Sequence, residues 1–395
     1  MSYRLRILHC MRAPVGGLFR HVLDLAAEQA ARGNAVGIVA DANTSDGLTA
    51  ARLNAVASNL ELGLELVPMS RKPGLGDLAA ARAVARHARN LSLDVLHGHG
   101  AKGGAYARLA GRLLKATEGH PISVFYTPHG GTLNFPAGSL EGRIYHGLEK
   151  LLAGMASGLI FESDFARRTF AERIGELAVA QRVVPNGLQP SDFTPHTPNS
   201  NAADFVFIGE LRDLKGVDVL LRALRTLNDW QRTTAVIVGS GPHKDRFLAL
   251  TQELNLTDQV RYPGAMPAAA AFPLGRTLVV PSLKESFPYV VLEGAAAGMP
   301  MVATNVGGIP EIVAGTDTGL IPPGDDRALA TAMKAAVLER GTAEQRARGL
   351  RSAVQNRFTV ARMTDEILDF YTRAPSLTFS LPQNIGTKIK AAGGA

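Results

Sequence analysis

LVVPSLKESFPYVVLEGAAAGMPMVATNVGGIPE, residues 278–311, runs through a strand, a loop, a helix, a second strand and a glycine loop in that order. Proline at the first helical position costs no backbone hydrogen bond, so Pro288 predicts a helix start there, with the amides of Tyr289 and Val290 unpaired and aimed outward. Such an end accepts a phosphate. Glu285 lies in the loop before the helix. Glu293 falls three and four positions after Val290 and Tyr289, so the two carboxylates would flank one ligand. Read blandly, Glu285 complements the helix dipole and Glu293 is solvated. The small run Gly294 to Gly298 favours tight packing instead, and Glu293 beside it then needs a ligand or a partner.

The same alternation of short apolar runs and longer helical patterns extends both ways, the mark of parallel sheets covered by helices. One series comprises Leu5–His9, Val36–Val39, Val95–His97, Ser123–Thr127 and Gly158–Phe161; a second comprises Phe205–Ile208, Ala235–Val238, Val260–Tyr262, Leu278–Val280, Met301–Ala303 and Leu320–Ile321. The fold class is therefore α/β, with two Rossmann-like doubly wound domains facing a central cleft. The expected boundaries are 1–186, a Pro, Thr, Asn and Ser-rich linker over 187–201, a second domain over 202–357, a helix over 358–373 returning to the first domain, and a mobile tail over 374–395. In open parallel sheets, ligands sit at the carboxyl ends of the strands, so the chemistry belongs in the loops of the cleft.

Composition sets the outer limits. The 395 residues exceed what one core fills, roughly 250–300. Hydrophobic residues at 46% and charged residues at 19% exclude a mostly disordered chain. No apolar run approaches the roughly 18 residues of a spanning helix, and the start lacks a signal-peptide pattern. The single cysteine, Cys10, reads as a core thiol and places the chain in the cytoplasm. Net charge is +7, and residues 1–186 carry +6 of it. That bias suits a phosphorylated substrate or an anionic membrane surface. No nucleic-acid motif accompanies it. The helical stretch Tyr106–Lys115 places Arg108, Arg112 and Lys115 on one side, so an ordinary surface helix and a peripheral membrane contact on the inner face of the cell membrane both remain open.

Four further motifs sit in loops. Gly16-Gly17 follows the first strand, where glycine permits close backbone approach, and APVGGLFR lacks the dinucleotide fingerprint. HGHGAKGG, residues 97–104, offers His97 and His99, but no third ligand is visible nearby, so no metal is expected. His129 in YTPHGG stands in a loop opened by two glycines. IGELRDLKGVDVLL, from Ile208, ends a strand at Gly209 and supplies Arg212 and Lys215, cations suited to a diphosphate leaving group.

Together these segments, with Val184-Pro185-Asn186-Gly187 between the halves, resemble the family 4 retaining glycosyltransferases of GT-B fold, over about Leu5 to Tyr371. The resemblance implies a sugar moved with retention from a nucleotide-sugar donor, UDP- or GDP-linked, to a glycan or lipid-linked acceptor. It needs neither metal nor cofactor. Catalytic roles fall on His129, Arg212, Lys215 and Glu285, with His129 contacting the transferred sugar as a hydrogen-bond donor. Donor contacts fall on Gly16, Gly17, Gly209, Gly239, Gly241, Ser286, Phe287, Tyr289, Val290 and Glu293. One departure stands out: the family places arginine directly after Gly209, where this chain has Glu210, and Arg212 is the substitute. Exopolysaccharide, capsule or lipopolysaccharide assembly is the expected setting. The alternatives are a sugar-nucleotide epimerase of the same fold and a non-catalytic, membrane-associated assembly protein.

Overall fold

The computed structural model describes residues 4–374, apart from 13, 15, 44–46, 71–73, 75, 119–121 and 136–137; the tail beyond Ala374 lies outside the described residues. The first sheet joins β1 (Arg6–Met11), β2 (Ala35–Asp41), β3 (Gly63–Val67), β4 (Val95–His99), β5 (Ser123–Thr127), β6 (Gly158–Phe161) and β7 (Ala180–Val183), all parallel, in the order 3-2-1-4-5-6-7. The second joins β8 (Ala203–Ile208), β9 (Ala235–Val238), β10 (Val260–Gly264), β11 (Gly275–Val280), β12 (Met301–Thr304) and β13 (Leu320–Ile321), in the order 10-9-8-11-12-13. β3 and β7 are additions to the sequence reading. Both are edge strands with half-exposed residues, so neither carries the continuous apolar run of a buried parallel strand.

In each sheet the strand order reverses beside the first strand of the unit, between β1 and β4 and between β8 and β11. That reversal parts the neighbouring crossovers and leaves a crevice at the carboxyl ends. The loops after Ile208 and Val280 therefore lie side by side.

The stretch after β7 is not a free tether. Its backbone is laid onto the second domain through His196 N to Ala297 O, 3.0 Å, and Asn199 N to Pro273 O, 3.0 Å. The last helix, Val360–Arg373, starts at a Thr359 cap and buries Met363, Ile367, Phe370 and Tyr371 against Ile7, Val95, Phe125 and Ile160 of the first domain. An amphipathic stripe of this kind has to find an apolar partner.

Two expectations change. Arg108, read as part of a basic surface stripe, is fully buried: the helix is Gly100–Glu118, and the guanidinium lies 2.7 Å from Glu149 and 3.9 Å over the Tyr126 ring. The apolar run of β1 also hides a polar layer. Parallel pairing sets His9 beside His97, and all of His9, His97 and His99 are buried. Cys10, the neighbour of His9, is buried as a thiol that burial pushes up to about 12. His9 bonds Gln29 Oε1 at 2.8 Å, while His97 bonds the Tyr371 hydroxyl at 2.6 Å and the Thr127 hydroxyl at 2.9 Å.

Burial pushes His9 down to about 4 and holds His97 and His99 well below the usual imidazole range, the neighbouring rings adding to the effect on the latter two. The unfolded chain binds these protons below about pH 6.5 and the folded chain does not. Their contribution to stability is complete above that pH and is lost on acidification, by up to about 4 kcal/mol per pH unit for three groups. We predict that hydrogen exchange of the β1 and β4 amides accelerates steeply from pH 6.5 to 5 after correction for intrinsic rates, and that His97→Gln lowers this slope by about one proton. An unchanged slope would contradict the assignment.

Candidate functional site

The crevice of the second domain brings Lys215 and Glu285 together. Gly216 makes this contact: its φ is +67°, and a side chain there would meet the Pro281 carbonyl at 2.0 Å, so the loop after β8 lies directly on the loop after β11. Leu283 N donates to Leu214 O at 2.9 Å and seals the pairing. Lys215 Nζ then stands 2.6 Å from Glu285 Oε1, which also accepts from the Ser282 hydroxyl at 2.7 Å. Glu285 is nearly buried, while Lys215 remains partly open to solvent. Arg212 is not brought onto this pair. Its guanidinium lies 3.5 Å from Glu210, with both side chains about half exposed.

The helix begins one residue later than read: Pro288 is its cap and Tyr289–Ala296 the helix. No side chain caps it, and among the described residues the Tyr289 and Val290 amides have no hydrogen-bond partner, whereas Val291 N reaches Pro288 O at 3.3 Å. Gly17, in the first turn of the helix Gly16–Ala31, faces this end; a side chain on it would touch the Tyr289 ring at 3.3 Å. Gly17 thus brings the first domain's backbone against the second domain's helix end, whereas a side chain on Gly16 would meet nothing within 4 Å.

Other residues proposed to touch a donor have different immediate neighbours. The Phe287 ring is buried against Phe358 and belongs to the core; its carbonyl accepts from Asn186 Nδ2 at 3.0 Å. The Ser286 hydroxyl donates to Glu162 of the first domain, a buried carboxyl that burial raises. Gly239, at φ +152°, leaves room for Gly209 O, which a side chain would meet at 1.8 Å, and Gly241 packs likewise on Leu211. Those three glycines stack the loops after β8 and β9. Val290 is partly buried.

Glu293 has a partner that the sequence did not disclose. Arg20, one turn beyond Gly16, donates to Glu293 and to Asp192 and lies 3.2 Å from Asp24, its guanidinium 4.8 Å above the Tyr289 ring. Burial raises the carboxyls of Asp24 and Glu293, and Arg20 opposes that shift. The only part legible beforehand is the i, i+4 spacing of Arg20 and Asp24. The Tyr289 hydroxyl is buried without a partner among the described residues.

His129 extends the histidine layer to the cleft. Its Nε2 is 3.2 Å from His99 Nδ1, and His99 Nε2 is 3.0 Å from His9 Nδ1, which leads to Gln29. Burial drives His129 down to about 3, so these rings are neutral and each carries one proton. With the Gln29 oxygen facing His9, each ring donates inward. That direction leaves Nδ1 of His129 as an acceptor, and turning the Gln29 amide over would reverse the relay and give Nδ1 the proton. His21 lies edge-on to His129 at 4.8 Å; its Nδ1 is 2.9 Å from Asn186 Oδ1, and its Nε2 is buried without a partner among the described residues. The third nitrogen missing near His97 and His99 is supplied by His9 on β1, and His21, His99 and His129 form a second convergent trio. The nitrogens of His9 and His99 already bond to one another, to Gln29 and to His129, and those of His97 bond the Tyr371 and Thr127 hydroxyls.

With this geometry in hand, two family models account for the chain. Residues 15–192 match Glycosyltransferase Family 4 and residues 189–353 match Glycosyl transferases group 1. A glycogen synthase of Mycobacterium tuberculosis is 26% identical over 381 residues, 89% of this chain and 91% of that one. A D-inositol 3-phosphate glycosyltransferase of Corynebacterium jeikeium is 32% identical over 201 residues, 45% of this chain and 48% of that one. Among solved structures, HepE of Anabaena, bound to UDP and glucose, superposes with a TM-score of 0.78 at 19% identity, over 93% of this chain and all of that one. The two facing parallel sheets and the paired family matches together place the chain in the family 4, group 1 glycosyltransferases, with the GT-B fold.

Proposed function

We propose that this glycosyltransferase moves a hexose from a nucleoside-diphosphate donor, UDP- or GDP-linked, to a glycan or lipid-linked acceptor, with retention of anomeric configuration and without a metal. The observation that carries this reading is the pairing of Lys215 with Glu285 beside two unpartnered amides at the start of the helix Tyr289–Ala296. Unpaired amides and the helix dipole attract a diphosphate. Lys215 supplies positive charge that gains strength as the glycosidic oxygen departs, the part a metal plays elsewhere. Glu285 holds that ammonium in place and accepts from sugar hydroxyls. HepE was solved with UDP and with UDP-glucose, which supports a uridine nucleotide as the first donor to try.

Glu293 is the natural acceptor for ribose hydroxyls. It is already desolvated and satisfied by Arg20, so a ribose has to share that carboxylate with the guanidinium. Arg20 still has Asp24 and Asp192 when it does. His129 presents Nδ1, an acceptor for a hydroxyl of the transferred sugar. No side chain is assigned as a covalent nucleophile; departure and attack take place on one face, with the leaving phosphate receiving the acceptor's proton. The setting proposed is polysaccharide or lipopolysaccharide assembly in the cytoplasm, at the inner face of the membrane.

The test is release of nucleoside diphosphate from a panel of UDP- and GDP-sugars with oligosaccharide and polyprenyl-linked acceptors. We expect one donor to be consumed only when acceptor is present, with the product anomer matching the donor by NMR and the rate unchanged in EDTA. A new epimer formed without acceptor would make the protein an epimerase. Lys215→Ala should lower kcat about 100-fold or more at similar donor KM, the usual scale for removing one transition-state charge contact. Glu293→Gln should weaken UDP or GDP binding in calorimetry about 10-fold or more, as expected for loss of a charged acceptor, with the fold retained by circular dichroism and the melting temperature lowered by the lost Arg20 ion pair. Unchanged affinity would remove Glu293 from the site.

A further inference from the structure

The helix Leu140–Ala153 carries its apolar residues on the wrong side for a core. Leu140 is 75% exposed, Ile144 54%, Leu148 46% and Leu151 66%. At 3.6 residues per turn these four fall within an arc of about 80°. Gly142, His146, Glu149 and Ala153 occupy the opposite side and are buried. Isolated surface leucines need no explanation, whereas a stripe along one helix does.

The back of this helix is firmly held. Glu149 accepts from Arg108 at 2.7 Å and from the Tyr126 and Thr132 hydroxyls at 3.2 Å each, and His146 Nε2 is 3.2 Å from Thr132 O. Phe135 and Tyr145 pack ring to ring at 4.6 Å. The buried salt bridge therefore serves as a bracket. It leaves the leucines pointing outward and ties the helix to the loop that follows His129. Charge lies along one edge of the stripe: Arg143, beside Leu140 and Ile144, and Lys150, beside Leu151, are both exposed, and Arg112 and Lys115 are exposed on the adjoining helix. Glu141 stands on the other edge. No helix among the described residues is long and apolar enough to cross a membrane.

We infer that Leu140, Ile144, Leu148 and Leu151 form a docking face for an anionic lipid bilayer, the leucines entering the acyl boundary and Arg143 and Lys150 lying among phosphate headgroups. A helix with an apolar face and cationic flanks lies in the plane of such an interface. Anionic headgroups are the complement of this edge and of the positive first half. Docked in this way, the His129 loop is held near the bilayer, where a lipid-linked acceptor waits. This deepens the acceptor reading and rests on it for the orientation of the cleft.

The test is flotation of the full chain with vesicles of phosphatidylcholine alone and of phosphatidylcholine with phosphatidylglycerol. Binding is expected only with phosphatidylglycerol, and weakens in high salt. Ile144→Glu combined with Leu148→Glu should reduce partitioning at least tenfold. Arg143→Ala with Lys150→Ala should abolish the preference for phosphatidylglycerol. Both pairs lie outside the donor site, so UDP or GDP binding should be unchanged; lost vesicle binding with retained nucleotide binding separates this surface from the donor reading. Equal flotation of the parent and the glutamate variant would overturn the inference. So would light scattering that shows a parent dimer made monomeric by the glutamates, since the stripe would then be an interface between two copies.

Discussion

Three carboxylates converge on the guanidinium of Arg20, and each comes from a different part of the chain: Asp24 from the same helix, Asp192 from the connecting stretch and Glu293 from the second domain. Acids this buried need a cation, because desolvating a lone charge costs several kcal/mol. Arg20 meets that need at the seam where the two domains approach. Gly17 and the Tyr289 ring meet one helical turn away, so the ion cluster and the backbone contact hold one another in register. The shape of the cleft at the helix end follows from this arrangement.

A second polar system does similar work within the first domain. His9, His97 and His99 lie between the sheet and its helices, where an apolar residue would pack as well. Their hydrogen bonds tie β1 and β4 to Gln29, Thr127 and Tyr371, the last from the final helix of the chain. Tyr371 is therefore bonded to His97, whose ring lies 4.0 Å from that of His99, the ring that reaches His129. Buried polar chains of this kind have one consistent direction of donation, because each neutral ring has a single proton to give. That property lets a distant amide bias which nitrogen of His129 carries the proton.

Much of the site was readable from local spacing. Lys215 is legible as a cation near the helix start after Gly209 and Glu285 as a carboxylate in the loop before Pro288, whereas their contact is not. The resemblance names Phe287 as a donor contact without saying where its side chain goes; the ring fills the core against Phe358. Arg108 was misread. A basic residue at helical spacing looked solvated, but Glu149, 41 positions later, neutralises it in the interior. Nothing in the sequence marks Glu162 or Gln29, and the motif Val184-Pro185-Asn186-Gly187 does not disclose what Asn186 bonds; the significance of all three lies in partners that folding brings close.

The sequence by itself determined the alternation of strands and helices, the two parallel sheets, the start of a helix at Pro288 and the loops in which ligand chemistry has to lie. These follow from side-chain periodicity and backbone preferences over a few residues. Only the tertiary structure decided who neutralises Glu293, which nitrogen His129 offers, that Arg108 is interior and that the leucines of Leu140–Ala153 are not. Such outcomes depend on pairs up to 273 positions apart, whose meeting is settled by packing and desolvation across whole domains.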